Sequence, residues 1–193
     1  LVAARQVRRN AASETALEAG QVAYDRQDWA GAVKHWRIYL GRHPEDVEVL
    51  RKYAESLLNI RPATLTTIAG AMSAYNQLMK LAPQEDVACE KLAMLYAASR
   101  QFEALDRVAR IRLQYVPDDP NAQIWLAQAL IGREQKAQAR QTLETLIARL
   151  EARPEKCRQY VHACILMSGL GGGDERLPRG GPPAATEVED ANA

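Results

Sequence analysis

The residues of this chain best suited to chemistry are three histidines, three cysteines and a few paired carboxylates. His35, His43 and His162 are scattered, and none forms a His-x3-His or Cys-x2-Cys pattern. A zinc site therefore has no local support. His162 and Cys164 stand two apart, which on a helix points them to different faces and denies the thiol its base. They read as a core thiol beside a partly exposed imidazole. Asp118-Asp119 falls in a turn before a proline and suits a helix start better than acid/base work. There is no Gly-x4-Gly-Lys-Ser/Thr loop, and Gly171-Gly172-Gly173 follows a helical pattern instead of opening one, the wrong polarity for cradling phosphate. The expectation is a chain with no catalytic residue, no metal ligand and no cofactor.

Cys89, Cys157 and Cys164 are odd in number, and the last two are separated by about 10 Å if they share a helix. That is too far for a bridge within the helix. All three read as small apolar residues of a reducing compartment, with an interchain bridge or a reactive thiol as the alternative.

The whole sequence leaves few other routes to function. Its 193 residues carry a net charge of +1 and no dense Lys/Arg block, so no surface can hold a phosphate backbone unaided. No run of eighteen apolar residues exists to span a bilayer. Leu1-Val2-Ala3-Ala4 is followed by Arg5, Arg8 and Arg9 with no acid before Glu14. Apolar then basic is what a membrane helix leaves behind at its cytoplasmic exit, and equally what a basic first helical turn looks like. Both readings stay open. Residues 1–12 are taken as a basic helical extension, and the location expected is cytoplasmic, by itself or tethered through a segment upstream.

What must position any functional side chain is a set of helices. From Ser13 to Leu170, apolar residues return at spacings of three and four, with no strand-like alternation. Breaks fall at 26–28, 43–46, 60–62, 82–85, 117–120, 132–134 and 153–154. Pro44, Pro83, Pro117 and Pro154 are 39, 34 and 37 residues apart, a period that marks a solenoid. A frame of 34 residues divides the chain into units 13–46, 47–85, 86–119 and 120–153, with a capping helix over 154–170. The second unit is longer by five residues, which the spacing places in the turn near Asn59–Thr64. Residues 171–193 change character: Gly- and Pro-rich and acidic, they are expected to be a disordered tail.

Small and large residues agree from unit to unit. The eighth position holds Gly20, Ala54, Ala93 and Ala127, and the eleventh Ala23, Leu57, Tyr96 and Leu130. In the second helix, the twentieth holds Ala32, Ala71, Leu105 and Ala139, and the twenty-fourth Trp36, Tyr75, Ala109 and Leu143. Small against large at fixed spacing lets antiparallel helices interdigitate. Trp29 and Trp36, seven apart, are then packing residues that fill the groove left by Gly20 and Ala23.

This pattern resembles the tetratricopeptide repeat family, with its small residue, aromatic, Ala-x3-aromatic and terminal proline. Unit one carries it through Gly20, Tyr24, Trp29, Ala32, Trp36 and Pro44; unit two through Ala71-x3-Tyr75 and Pro83; unit three through Ala93-x2-Tyr96, Phe102 and Pro117. Unit four departs, with Lys136 where an aromatic is usual and its proline late, at Pro154.

The resemblance implies an all-α, right-handed α-solenoid of antiparallel helix pairs, whose first helices line a concave groove. A ligand would meet positions two, five, nine and twelve. Among these, Tyr24, Arg51, Glu55, Glu90, Met94, Ile124 and Gln128 are the candidate partner-binding residues. Apolar anchors among polar groups describe a trough for a peptide. The function implied is a non-enzymatic scaffold for a protein or peptide partner. One family variant clamps a chaperone's C-terminal carboxylate with Lys and Asn; Leu17 and Gln21 stand in those places here, which disfavours that ligand. Two alternatives remain open. One is a structural spacer in a larger or membrane-tethered protein, similar to the soluble part of a membrane-anchored bacterial member of the family. The other is a helical repeat that reads single-stranded RNA, which the near-neutral charge disfavours.

Overall fold

The computed structural model describes residues 2–151 and 157–171, with the side chains of residues 2–10 and of Cys157 left aside. Residues 154–156, assigned above to the capping helix, and 172–193, assigned to the tail, lie outside the described residues.

The described chain is all helix and turn: α1 (Val2–Asp25), α2 (Trp29–Leu40), α3 (Val47–Asn59), α4 (Leu65–Leu81), α5 (Asp86–Ala98), α6 (Phe102–Tyr115), α7 (Pro120–Gly132), α8 (Lys136–Glu151) and α9 (Cys157–Leu170). α1 runs without interruption from the basic extension into the first helix of unit one. Each helix packs on the next in sequence, and α7 also reaches α5 and α9. That order of contacts is an α-solenoid.

Polar residues at the breaks start the helices. The carboxylate of Asp28 accepts from the Gly31 amide, Asp46 from Val49, and Asp119 from Asn121 and Ala122; Thr64 and Thr67 cap α4 reciprocally. The turns joining first to second helices repeat in atomic detail. Gln27, Arg100 and Glu134 each adopt the left-handed conformation (φ 58°, 55° and 61°). In each turn the left-handed residue donates to the carbonyl three back and its successor to the one five back, as in Asp28 to Ala23, Gln101 to Tyr96 and Gln135 to Leu130. This is the Schellman ending of a helix, here made without glycine.

The second unit is the exception, and its five extra residues do not all sit in the turn. Its connection, Ile60–Thr64, is five residues against three at 99–101, and α4 has 17 residues against 14 in α6. Most of the added length is helix, because Leu65–Leu81 carries a continuous helical pattern and nothing in it stops the helix earlier.

The repeated small and large positions make the core. Ala54, Ala93 and Ala127, Ala32, Ala71, Leu105 and Ala139, and Trp36, Tyr75, Ala109 and Leu143 are all buried. Gly20 is buried too, and a Cβ there would overlap the indole of Trp36. Trp36 is wholly enclosed: its Nε1 donates to the Leu17 carbonyl at 3.4 Å, and the Tyr24 ring lies 5.3 Å away, centroid to centroid. Gly132 plays the same part for Phe102, whose ring fills the space a Cβ would need. Trp29 is half-buried and meets the Tyr24 ring edge-on at 5.4 Å.

Candidate peptide-binding groove

Successive first helices are tied by polar side chains. Tyr24 Oη on α1 donates to Glu55 Oε2 on α3 at 2.8 Å, and Lys52 Nζ reaches back to Gln21 Oε1 at 3.0 Å. Arg51 on α3 forks onto Glu85, just ahead of α5, with Nη2 to Oε1 at 2.5 Å and Nε to Oε2 at 3.3 Å. Gln128 on α7 lies 3.2 Å from His162 Nε2 on α9, and Gln159 Nε2 donates to Asn121 Oδ1 at 3.4 Å.

Most of the seven candidate residues are therefore already engaged. Tyr24, Arg51, Glu55 and Gln128 hold neighbouring units together, and the Tyr24 ring belongs to the aromatic cluster around Trp36. Ile124 is a correction: it is 2% exposed, enclosed with Ala127, Leu143, Leu146 and Ala163. It does not face a ligand because α9 docks on α7 and covers it, and that depends on a helix 33 residues further along. Glu90 and Met94 remain open on α5. Met94 is 53% exposed, and Val87, on the same helix, 44%.

The side chains missed by the sequence reading lie beside them. A cleft of about 410 Å³ opens between α5, the turn before α7, the end of α8 and the start of α9. Glu90, Asn121, Trp125, Leu150 and Gln159 line it, with Arg112 and Arg149 and the carboxylates of Asp86, Asp118 and Asp119. Arg112 is its frame. With a side chain 7% exposed, it donates from Nε to Asp119 Oδ2 at 2.8 Å and from Nη1 to the Gln84 carbonyl at 2.8 Å, and it pairs with Asp86. Arg149 pairs with Asp118 and with Gln123. Four carboxylates against two guanidinium groups leave the cleft acidic. Trp125, at the sixth position of its unit, falls just outside the positions the family pattern assigns to the groove; Asn121 falls inside them.

Among the described residues no group of three His, Cys, Asp or Glu side chains could hold a metal ion. Cys89 is buried and unbridged, and burial pushes its thiol up, which keeps it an inert apolar residue; Cys164, half-buried, is also free. His43 stacks on Tyr39 at 4.6 Å. No helix among the described residues is long and apolar enough to cross a membrane.

Three phenols are held above their ordinary range. Tyr24 is pushed up to about 12 by burial and then by the Glu55 carboxylate, Tyr39 to about 12 by burial and Asp46, and Tyr75 to about 12 by burial and the charge of Glu55. A group whose folded pKa lies above its unfolded value of 10.0 contributes stability that is complete below pH 10.0 and lost as the pH climbs toward 12. At about pH 11, near-ultraviolet absorbance should show at least three of the seven tyrosines still protonated in the folded chain and ionised in guanidinium. A single titration of all seven near pH 10 would exclude the burial of Tyr75 and the carboxylate contacts of Tyr24 and Tyr39.

The comparisons with known proteins agree with this geometry. A family model described as Tetratricopeptide repeat matches residues 103–155, from α6 through α8. No curated protein sequence matches the chain at a significant level. Among solved structures, MamA 41-end from Desulfovibrio magneticus RS-1 is 17% identical and superposes with a TM-score of 0.53, covering 82% of this chain and 93% of its own. A second MamA structure is 14% identical with a TM-score of 0.57, covering 82% and 86%. TTC0263, a thermophilic TPR protein in Thermus thermophilus, is 13% identical with a TM-score of 0.50, covering 77% and 78%. At these identities the likeness is one of fold. Residues 103–155 thus match a tetratricopeptide repeat, and the described residues share the fold of solved proteins built from such repeats.

Proposed function

We propose that the chain is a non-enzymatic scaffold whose concave face docks an extended or helical peptide segment of a protein partner. The observation that carries this reading is the cleft that Glu90 of α5 lines together with Trp125 and an excess of carboxylates, with Val87 and Met94 exposed one turn to either side of Glu90 on the same helix. Apolar anchors supply burial and the charged rim fixes register. The sign of that rim favours a basic residue on the partner, and it works against a phosphate backbone, which needs cationic side chains. Unbridged thiols at Cys89 and Cys164 suit a reducing, cytoplasmic setting.

A random peptide library selected on the immobilised chain tests this. Enriched peptides should carry Lys or Arg beside an aliphatic residue, and the double variant Glu90→Lys/Met94→Ala should weaken their binding by about tenfold or more, with its melting midpoint unchanged. Selected peptides that bind the variant as well as the native chain would remove α5 from the site.

A further inference from the structure

Among the described residues, α9 leaves one face without a neighbour. Ala163 is wholly buried, and Tyr160, Leu166, Met167 and Leu170 pack with it onto the preceding helices. On the opposite side Val161 and Ile165 stand 49% and 62% exposed, one turn apart, flanked by exposed Arg158, Ser168 and Gly169. Val161 occupies the eighth position of its unit. In the four units before it, that position is held by Gly20, Ala54, Ala93 and Ala127, each buried beneath the second helix of its own pair. α9 has no such second helix among the described residues. The sequence that follows it, Gly171-Gly172-Gly173 and then Pro178, Pro182 and Pro183, carries no apolar stripe of the kind found in α2, α4, α6 and α8.

We propose that this face binds the same face of a second copy of the chain, two α9 helices lying antiparallel about a two-fold axis near residue 163. Such an interface is self-complementary. It sets Val161 against Ile165 of the second copy, and Ile165 against that copy's Val161. The charges fit the same arrangement. Arg158 has no ion-pair partner among the described residues, and antiparallel pairing brings it to the Ser168–Leu170 end of the other helix, where the last carbonyls and the helix dipole attract a cation. Gly169 has open space around it, with nothing within 4 Å of where a Cβ would stand, so a guanidinium can approach the backbone there. α9 contributes no carboxylate of its own to oppose this contact.

Sedimentation equilibrium of the full chain decides the matter. The native chain should show a concentration-dependent dimer. Val161→Glu/Ile165→Glu should be monomeric, weakened by about a hundredfold or more because it removes the apolar burial on both copies, with its circular dichroism unchanged because both side chains face solvent in the monomer. Arg158→Glu should weaken the dimer by about threefold to tenfold, since a carboxylate would then face the carbonyl end of the partner helix. A photo-crosslinking residue at position 165 should join to α9 of a second copy. A native chain that stays monomeric at high concentration overturns the proposal, as does a dimer indifferent to the Val161/Ile165 change. A crosslink to residues 172–193 of the same chain, or to a different protein only, overturns it as well. None of these outcomes bears on the α5 cleft, whose Glu90/Met94 variant reads the scaffold function separately.

Discussion

Trp36→Ala should cost about 3 to 5 kcal/mol, confined largely to the first helix pair. The indole is wholly enclosed between Gly20 and the Leu17 carbonyl of α1, the Tyr24 ring and, with Ala32, the Val49 side chain of α3. Truncation removes the largest side chain of that cluster and leaves a gap its neighbours fill only in part, which is the costly kind of core substitution. It also strands the Leu17 carbonyl, whose bond to Nε1 is lost. In a solenoid each unit leans only on its neighbours, so the loss falls where the contact was. Hydrogen exchange should therefore speed up in α1 and α2 while the amides of α5 to α8 keep their protection. Uniform acceleration along the chain would mean that the units do not unfold separately. Unchanged exchange in α1 and α2 would deny Trp36 its place between them.

Arg112→Met should destabilise the chain by about 3 kcal/mol, despite keeping much of the apolar volume. The guanidinium ties the end of α6 to Asp86 at the start of α5, to the Gln84 carbonyl before it, and to Asp119 at the start of α7. Its loss leaves Asp119, whose side chain is 12% exposed, and the Gln84 carbonyl without their donor. Breaking a buried ion pair by removing one partner is what makes it costly, because the remaining charge keeps its desolvation. Arg112→Lys should recover little, since one ammonium cannot fork onto three acceptors. Denaturant titration of Arg112→Met, Asp119→Ala and the double variant checks the network: the double should fall well short of the sum of the singles. Additive losses would show that the two side chains act independently. The same substitution should blunt peptide capture, because Arg112 holds the walls of the cleft.

The helices and their packing faces are legible in the sequence because they rest on local chemistry. Gly20 and Ala54 announce close contacts by their size, and Asp28, Asp46 and Asp119 announce helix starts by their side-chain oxygens. The left-handed turns are not legible, since Gln27, Arg100 and Glu134 offer no glycine as a signal. The second unit's extra length points to its turn because insertions usually go there, yet the continuous pattern of α4 takes most of it instead. The groove is the hardest part to read. Whether Ile124 is exposed depends on α9, and whether Tyr24 is free depends on Glu55, 31 residues away. Trp125 and Arg112 come together only through helices that meet in space. Position within a repeat tells which way a side chain leaves its helix, but not what has already taken it.

The three Schellman turns bear on how much stability the fold leaves unclaimed. A left-handed backbone costs a residue with a side chain about 1 kcal/mol more than it costs glycine. Gln27, Arg100 and Glu134 thus hold roughly 3 kcal/mol of frustration in reserve, a large fraction of what separates an ordinary domain from its unfolded state. The solenoid could be hardened at these hinges without altering any surface it offers to a partner.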